Sequence, residues 1–373
     1  MDESKIAYVG IGSNLGDRKK YIDDALKMLA QTEGVRLLRT SDIIETVPLA
    51  GTDQPSYLNT VAELQTSMPP QEFFKKLNAI ETALGRTRNV KWSPRTIDLD
   101  LLLFGDAVIS QTNLIIPHPQ IHLRSFVLAG LCQLNPKLTH PLMKVGVSQL
   151  AERLNKLNFK PSSDIPQLIS IAGLIGAGKT TLATKLSKIL NCPLILEPYD
   201  WNPYLPQVYA GRKELALDCQ LFFLTDRFGQ LNTDVLQPFQ LYISDYLFDK
   251  EIIYANLLLD QLQLDLYKRI FDLYSPKISS PVLVVYLADS PQNCLERIKQ
   301  RNRPYEQQIE LSFLDALFSA HEELMAGWKK SPVIRISTTD LDYSKPDSIE
   351  NLANQLKFYV NVQSTKKKLT QNL

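Results

Sequence analysis

Leu168-Ile-Ser-Ile-Ala-Gly-Leu-Ile-Gly-Ala-Gly-Lys-Thr-Thr-Leu182 passes from an apolar run through a glycine-rich turn into a helix. Leu182, Leu186, Ile189 and Leu190 recur at helical spacing after the turn. Gly173, Gly176, Gly178, Lys179 and Thr180 satisfy G-x-x-x-x-G-K-[ST]. Backbone N–H groups of such a turn cradle phosphates, the lysine reaches β/γ oxygens and the threonine can ligand Mg²⁺. A glycine turn without a ligand is the remote alternative, because strand, loop and helix stand in the order the motif requires. Around this stretch, apolar strands at 168–172, 193–196, 239–244 and 282–288 alternate with long helical patterns. That alternation predicts an α/β unit with a parallel sheet and crossover helices.

Upstream, Lys156-Leu-Asn-Phe-Lys-Pro-Ser-Ser-Asp-Ile-Pro166 is polar and carries no amphipathic period. It separates a first domain over 1–158 from a second over 168–363, with a linker at 159–167 and a basic tail at 364–373. In the first half, 6–11 reads as a strand, 21–30 as a helix, 35–46 and 59–65 as extended, 71–84 as a helix and 96–104 as a strand. The order predicts a ferredoxin-like α+β sandwich with helices over one antiparallel sheet.

The 373 residues include 41 basic and 40 acidic ones, a net charge of +1, so no global field attracts nucleic acid or a membrane surface. Anionic ligands must be held by local groups of Arg, Lys and backbone N–H. Cys132, Cys192, Cys219 and Cys294 are scattered, which argues against a disulfide framework or a zinc site and for a reducing, cytoplasmic setting. The acidic start does not resemble a signal peptide, and the longest apolar run, Val282 to Ala288, is too short to span a bilayer.

The most informative segment of the first half is Gly85-Arg-Thr-Arg-Asn-Val-Lys-Trp-Ser-Pro-Arg-Thr-Ile-Asp-Leu-Asp-Leu-Leu-Leu-Phe104. On a strand Asp98 and Asp100 share one face, with Ile97, Leu99 and Leu101 on the other. Adjacent carboxylates repel, and a hard divalent cation held jointly with substrate phosphates relieves that repulsion. Arg86, Arg88, Lys91 and Arg95 lie just upstream, suited to polyphosphate oxygens. A charged strand edge beside a basic loop is the plainer reading of Asp-x-Asp alone; the gathered cations and indole weigh against it.

The first half resembles 6-hydroxymethyl-7,8-dihydropterin pyrophosphokinase, an enzyme of folate biosynthesis. The resemblance is carried by Gly-Ile-Gly-Ser-Asn-Leu-Gly16, Thr46-Val-Pro-Leu49, Asp53-Gln-Pro-Ser-Tyr-Leu-Asn59, Trp92 to Asp100, Ile116-Pro-His-Pro119 and Arg124-Ser-Phe126. It implies a ferredoxin-like fold and transfer of pyrophosphate from ATP to the pterin hydroxymethyl group, releasing AMP. Asp98 and Asp100 would bind two Mg²⁺ ions. Arg86 and Arg95 would act in catalysis, and Glu81, Arg88, Trp92, His118 and Arg124 would complete the ATP side. Tyr57 and Phe126 would sandwich the pterin, and Asn59 with the backbone around Thr46, Pro48 and Leu49 would read its edge.

The second half resembles the deoxynucleoside kinases, through Ile171 to Leu182, Leu196-Glu-Pro198, Asn202-Pro-Tyr204, Gln220 to Arg227 and an Arg-rich stretch ending at Glu306. The resemblance implies that Gly173, Gly176, Gly178, Lys179, Thr180 and Thr181 hold ATP, with one Mg²⁺ at Thr180, and that Lys179 acts in catalysis. Arg297, Arg301 and Arg303 would form a lid. Glu197 would accept the 5′-hydroxyl proton, Gln220 would bond the base, and Trp201 and Tyr204 would line the sugar pocket. The family's acid-Arg-Ser motif is here Ser244-Asp-Tyr246, so its arginine is missing; either the lid arginines compensate or the activity is weak. Asp245 takes either the arginine's position or, with a one-residue shift, the acidic one. A silent ATP-binding or oligomerisation module and a nucleotide kinase are the competing readings of this half. The expected partners are pterin, ATP and a nucleoside, with no nucleic acid or membrane, and a homodimer as candidate assembly.

Overall fold

The computed structural model describes residues 4–48, 54–86, 95–162, 164–339, 341 and 345–361. Contacts divide the chain into two units, Met1–Lys160 and Pro161–Leu373. The first is built from β1 (Lys5–Ser13), α1 (Arg18–Gln31), β2 (Val35–Thr40), β3 (Ile44–Thr46), β4 (Tyr57–Thr66), α2 (Pro70–Ala83) and β5 (Asp98–Phe104). The sheet order is β2-β4-β1-β5, antiparallel at every pairing, with β3 also on β4. This is the ferredoxin-like arrangement expected, with the extended segment 35–46 resolved into two short strands. Ala7, Val9 and Ile11 alternate onto one face, where Ile22, Ala25 and Leu29 of α1 and Phe73, Leu77 and Ile80 of α2 cover them. The register of β1 on β5 shifts between Tyr8 and Val9, and Phe104 thereby joins Leu99 and Leu101 in that core.

Beyond β5 come a hairpin, β6 (Ile109–Gln111) and β7 (Leu114–Ile116), then α3 (Ser125–Leu134) and α4 (Val147–Glu152). The helix α3 packs on β4, adding a layer that the sequence did not announce. A Cβ on Gly130 would lie 2.5 Å from Val61 Cγ2, so only glycine lets α3 come this near. Ser125 N–H donates to Asn158 Oδ1 (2.7 Å), and Phe159 N–H donates to Leu123 O (2.9 Å). The end of the first unit thus folds back onto the start of α3.

The second unit contains β8 (Gln167–Gly173), α5 (Lys179–Leu190), β9 (Leu194–Ile195), α6 (Leu205–Tyr209), α7 (Ala216–Leu231), β10 (Leu241–Ser244), α8 (Glu251–Leu258), α9 (Gln261–Tyr274), β11 (Leu283–Ala288), α10 (Pro291–Arg301), α11 (Leu311–Ala326), β12 (Val333–Ser337) and α12 (Pro346–Leu356). Its sheet runs β12-β11-β8-β10-β9, parallel throughout. Four strands were expected; β12 is a fifth. Its edge position leaves it half-exposed, so its sequence lacks a continuous apolar run. Every residue of β8 is buried. From β8 the chain passes to β9 on one side, returns to fill β10 and then crosses to β11 on the other, and this reversal opens a crevice at the carboxyl ends, where ligands of such sheets bind. Among the described residues no helix is long and apolar enough to cross a membrane.

Gly130→Ala is expected to lower the melting temperature of the first unit in calorimetry, with a stability loss of about 1–3 kcal/mol from overpacking. Adding Val61→Ala should recover much of that loss.

Candidate functional site

In the first unit Gly10, Gly12, Thr46 and Pro48 border a cavity of about 320 Å³, with Tyr57, Asn59 and Phe126 also in its wall. Asn59 Nδ2 donates to Thr46 Oγ1 (2.9 Å). A Cβ on Gly12 would stand 2.8 Å from Asn59 Oδ1, so the glycine makes room for that amide. Asp98 and Asp100 enter the same cavity from β5, joined by Arg95, His118 and Arg124. Leu49, Arg88 and Trp92 lie outside the described residues.

Both oxygens of Asp98 are occupied by guanidinium groups, Oδ1 by Arg86 (2.6 Å) and Oδ2 by Arg95 (2.5 Å). Burial, helped by the Asp100 charge, pushes the Asp98 carboxyl up to about 7 against the pull of these arginines. A carboxylate pair that resists double ionisation is the chemistry a divalent cation relieves. Two carboxylates alone leave positions for water and phosphate oxygens, as Mg²⁺ prefers. Arg124 has its Nε buried without a hydrogen-bond partner, a donor suited to an anion. His118 Nδ1 accepts from Gln120 N–H (3.3 Å), and burial pushes its imidazole down, so Nε2 carries the proton of the neutral ring. Gln54, Gln120 and Asn158 also line the cavity. Gln54 lies within the quoted stretch 53–59 and Gln120 just past Pro119, whereas nothing local marks Asn158, which the fold-back onto α3 brings there.

In the second unit the turn after β8 approaches its neighbours closely. Gly173 has φ +141°, and a Cβ there would meet Leu287 O at 2.7 Å; at Gly176, with φ +84°, it would meet Cys294 O at 2.6 Å. Lys179 Nζ donates to Leu174 O (2.7 Å), lying along the loop. Thr180 Oγ1 donates to Asp245 Oδ2 (2.6 Å), and Asp245 Oδ1 accepts from Glu197 N–H (2.8 Å). Asp245 therefore takes the acidic position beside the loop threonine. Thr181, on the first turn of α5, is exposed.

Glu197, just past β9, faces a cleft lined by Lys179, Thr180, Gln220 and Asp245. Its Oε1 accepts from Lys250 Nζ (2.5 Å) and from Arg227. Burial opposes the carboxylate, yet the Lys250 and Arg227 charges hold it well below the usual carboxylate range. The same burial pushes the Lys250 ammonium down. The arginines expected to form the lid each have a partner of their own. Arg301 pairs with Glu306 (2.6 Å), Arg303 donates to Tyr199 Oη (2.5 Å), and Arg297 reaches Gly176 O (3.0 Å), while Lys250 and Arg227 meet Glu197. Trp201 ends a 3-10 turn and is 81% exposed, so it does not wall the cleft; Tyr204 packs with Leu205 and Phe223. Tyr199 and Tyr209 line the cleft instead.

Residues 8–136 match the 7,8-dihydro-6-hydroxymethylpterin-pyrophosphokinase (HPPK) family, and residues 169–361 match the deoxynucleoside kinase family. Over 131 residues the chain is 44% identical to 2-amino-4-hydroxy-6-hydroxymethyldihydropteridine pyrophosphokinase of Bacillus subtilis, covering 35% of this chain and 78% of that protein. Over 159 residues it is 36% identical to the folic acid synthesis protein fol1 of Pneumocystis carinii; the match takes in 43% of this chain but 21% of that longer protein. Over 178 residues it is 38% identical to deoxyguanosine kinase of Bacillus subtilis, covering 47% of this chain and 86% of the relative. A solved deoxyadenosine kinase of M. mycoides aligns with 51% of this chain and 98% of its own at 27% identity, with a TM-score of 0.45.

Of the residues that the resemblance sends to ATP, Glu81 is 2% exposed and sits outside the cavity wall. It accepts from Leu99 N–H (2.7 Å) and pairs with Arg86, which in turn holds Asp98. Glu81→Ala is expected to destabilise the first unit by about 3 kcal/mol, the lower end for breaking a buried pair, because Arg86 keeps Asp98. Glu81→Gln, which retains an acceptor for Leu99, should cost less. An unchanged calorimetric transition in Glu81→Ala would reduce the residue to a ligand contact.

Proposed function

The chain belongs to the HPPK family through its first unit and to the deoxynucleoside kinase family through its second, and from that premise we propose a bifunctional transferase. The first unit transfers pyrophosphate from ATP to the hydroxymethyl group of 6-hydroxymethyl-7,8-dihydropterin. The observation that carries this reading is the placing of Asp98 and Asp100 in the cavity that Tyr57, Asn59 and Phe126 share. Tyr57 and Phe126 bracket the pterin ring and Asn59 with Thr46 reads its polar edge. Asp98 and Asp100 would hold Mg²⁺ together with polyphosphate oxygens, and such an ion would supply positive charge beside the transferred group. Arg86 and Arg95, which grip Asp98 in the structure, and Arg124, with its free Nε, orient the phosphates. Asp98→Asn and Asp100→Asn are each expected to reduce pterin-dependent AMP formation by about 10²–10³-fold or more while the fold is kept. Near-normal AMP release in either variant would remove the metal assignment.

The second unit phosphorylates a deoxynucleoside on its 5′-hydroxyl with Mg²⁺–ATP. Support comes from Asp245, which ties the backbone of Glu197 to the hydroxyl of Thr180 and so sets proton acceptor and phosphate loop beside each other. The glycines of the loop and Lys179 hold the phosphates, Thr180 and Asp245 share the Mg²⁺, and Gln220 bonds the base. Arg301 and Arg303 close over the nucleotide. Deoxyguanosine heads the substrates to test, because the Bacillus subtilis relative bears that name. Lys179→Ala should lose both ATP affinity and turnover. Glu197→Gln should keep affinity measured by titration calorimetry and lose about 10²–10⁴-fold in turnover, as removal of a general base does. An ATP-binding parent that phosphorylates no deoxynucleoside would make this unit a silent module.

A further inference from the structure

Directly after β10, Asp245-Tyr246 carries no arginine. Tyr246, fully buried, instead donates through its hydroxyl to Gln230 Oε1 (2.8 Å). The 3-10 turn Phe248–Lys250 that follows brings a different cation back. Lys250 is 6% exposed, lines the cleft with Lys179, Thr180 and Asp245, and donates to Glu197 Oε1 at 2.5 Å. Its Nζ lies 5.8 Å from the ring centre of Tyr246 and 5.6 Å from that of Tyr254, faces that favour a cation.

The two cations on Glu197 are held differently. Arg227 also pairs with Glu251, a fully buried carboxylate, and stacks 4.5 Å from the Phe223 ring centre. It is fixed from three sides. Lys250 is a compact charge on a flexible four-carbon stem. Of the two, Lys250 is therefore the cation that can swing from Glu197 to a phosphoryl group bound in the cleft it lines.

We propose that Lys250 supplies the phosphoryl-contacting cation that Asp245-Tyr246 lacks, leaving Glu197 for the γ-phosphoryl oxygens when both substrates are bound. The proposal rests on the kinase reading of the second unit. In the step itself the nucleoside 5′-oxygen bonds to the γ-phosphorus as the bond from that phosphorus to the β,γ-bridging oxygen breaks. The hydroxyl proton passes to Glu197, and ADP leaves with the electron pair. Moving one ammonium brings positive charge to the transferred group.

Lys250→Met, Lys250→Gln and Lys250→Arg in the full chain test this, with kcat and KM for deoxyguanosine and ATP, ATP titration calorimetry and a melting curve for each. Met and Gln are expected to lower kcat by about 10²–10³-fold with ATP affinity and nucleoside KM little changed. Arg, which restores the charge, should recover most of the loss. A parental kcat in a folded Met or Gln variant overturns the proposal. So does a loss confined to KM, or a loss that tracks unfolding in all three variants. If the parent itself phosphorylates none of the common deoxynucleosides, the kinase reading falls and the role of Lys250 falls with it. An active parent with an unimpaired Lys250→Met removes Lys250 alone.

Discussion

A carboxylate withdrawn from water must be met by positive charge or give up its own, and both units are arranged around that requirement. In the first, Glu81 lies beneath the sheet edge and fixes Arg86, and Arg86 with Arg95 takes both oxygens of Asp98. Asp100 stays exposed beside them. In the second, Glu197, Asp245 and Glu251 gather at the carboxyl ends of two neighbouring parallel strands and the turn beyond. Lys250 and Arg227 answer Glu197, Arg227 also answers Glu251, and Asp245 is met by two donors, the Thr180 hydroxyl and the Glu197 N–H. Each site is a charge network of buried or half-buried carboxylates and the donors that meet them.

Much of this could be read from the sequence where the signal was local. The Asp98-Leu99-Asp100 alternation fixes which side chains share a face, because a strand turns every residue over. The loop Gly173 to Thr180 fixes its own neighbours, because its glycines exclude side chains. The strand β12 escaped because half its residues face outward at the sheet edge. The covering of β4 by α3 escaped because the clue is a single glycine, Gly130, matched to Val61 sixty-nine residues away. Lys250 is the clearest case. In sequence it is an ordinary lysine ahead of an amphipathic helix, and its meaning appears only when the turn after β10 folds it against Glu197. Trp201 fails in the opposite direction: an indole in a motif that suggested a pocket wall instead points to solvent from a short turn.

The two sites treat the arginine-rich segments near them in contrasting ways. In the first unit two guanidinium groups sit directly on Asp98. In the second, Arg301 and Arg303 line the cleft while paired with Glu306 and Tyr199, and Lys250 and Arg227 sit on Glu197. Arg303 also stacks 4.1 Å from the Tyr199 ring centre, which makes an aromatic side chain of the cleft wall the rest position of the outer cation.

The close fit of Gly176 against Cys294 O, with Arg297 bonded to Gly176 O, has a mechanical side. Arg297 is further clamped by Asp289. The helix α10 is therefore pinned to the phosphate loop near its middle, whereas Arg301 and Arg303 ride about one helical turn and more beyond the pin. The outer arginines are thereby tethered to the loop through one short stretch of helix, and the distance between loop and lid is set by the geometry of that single turn.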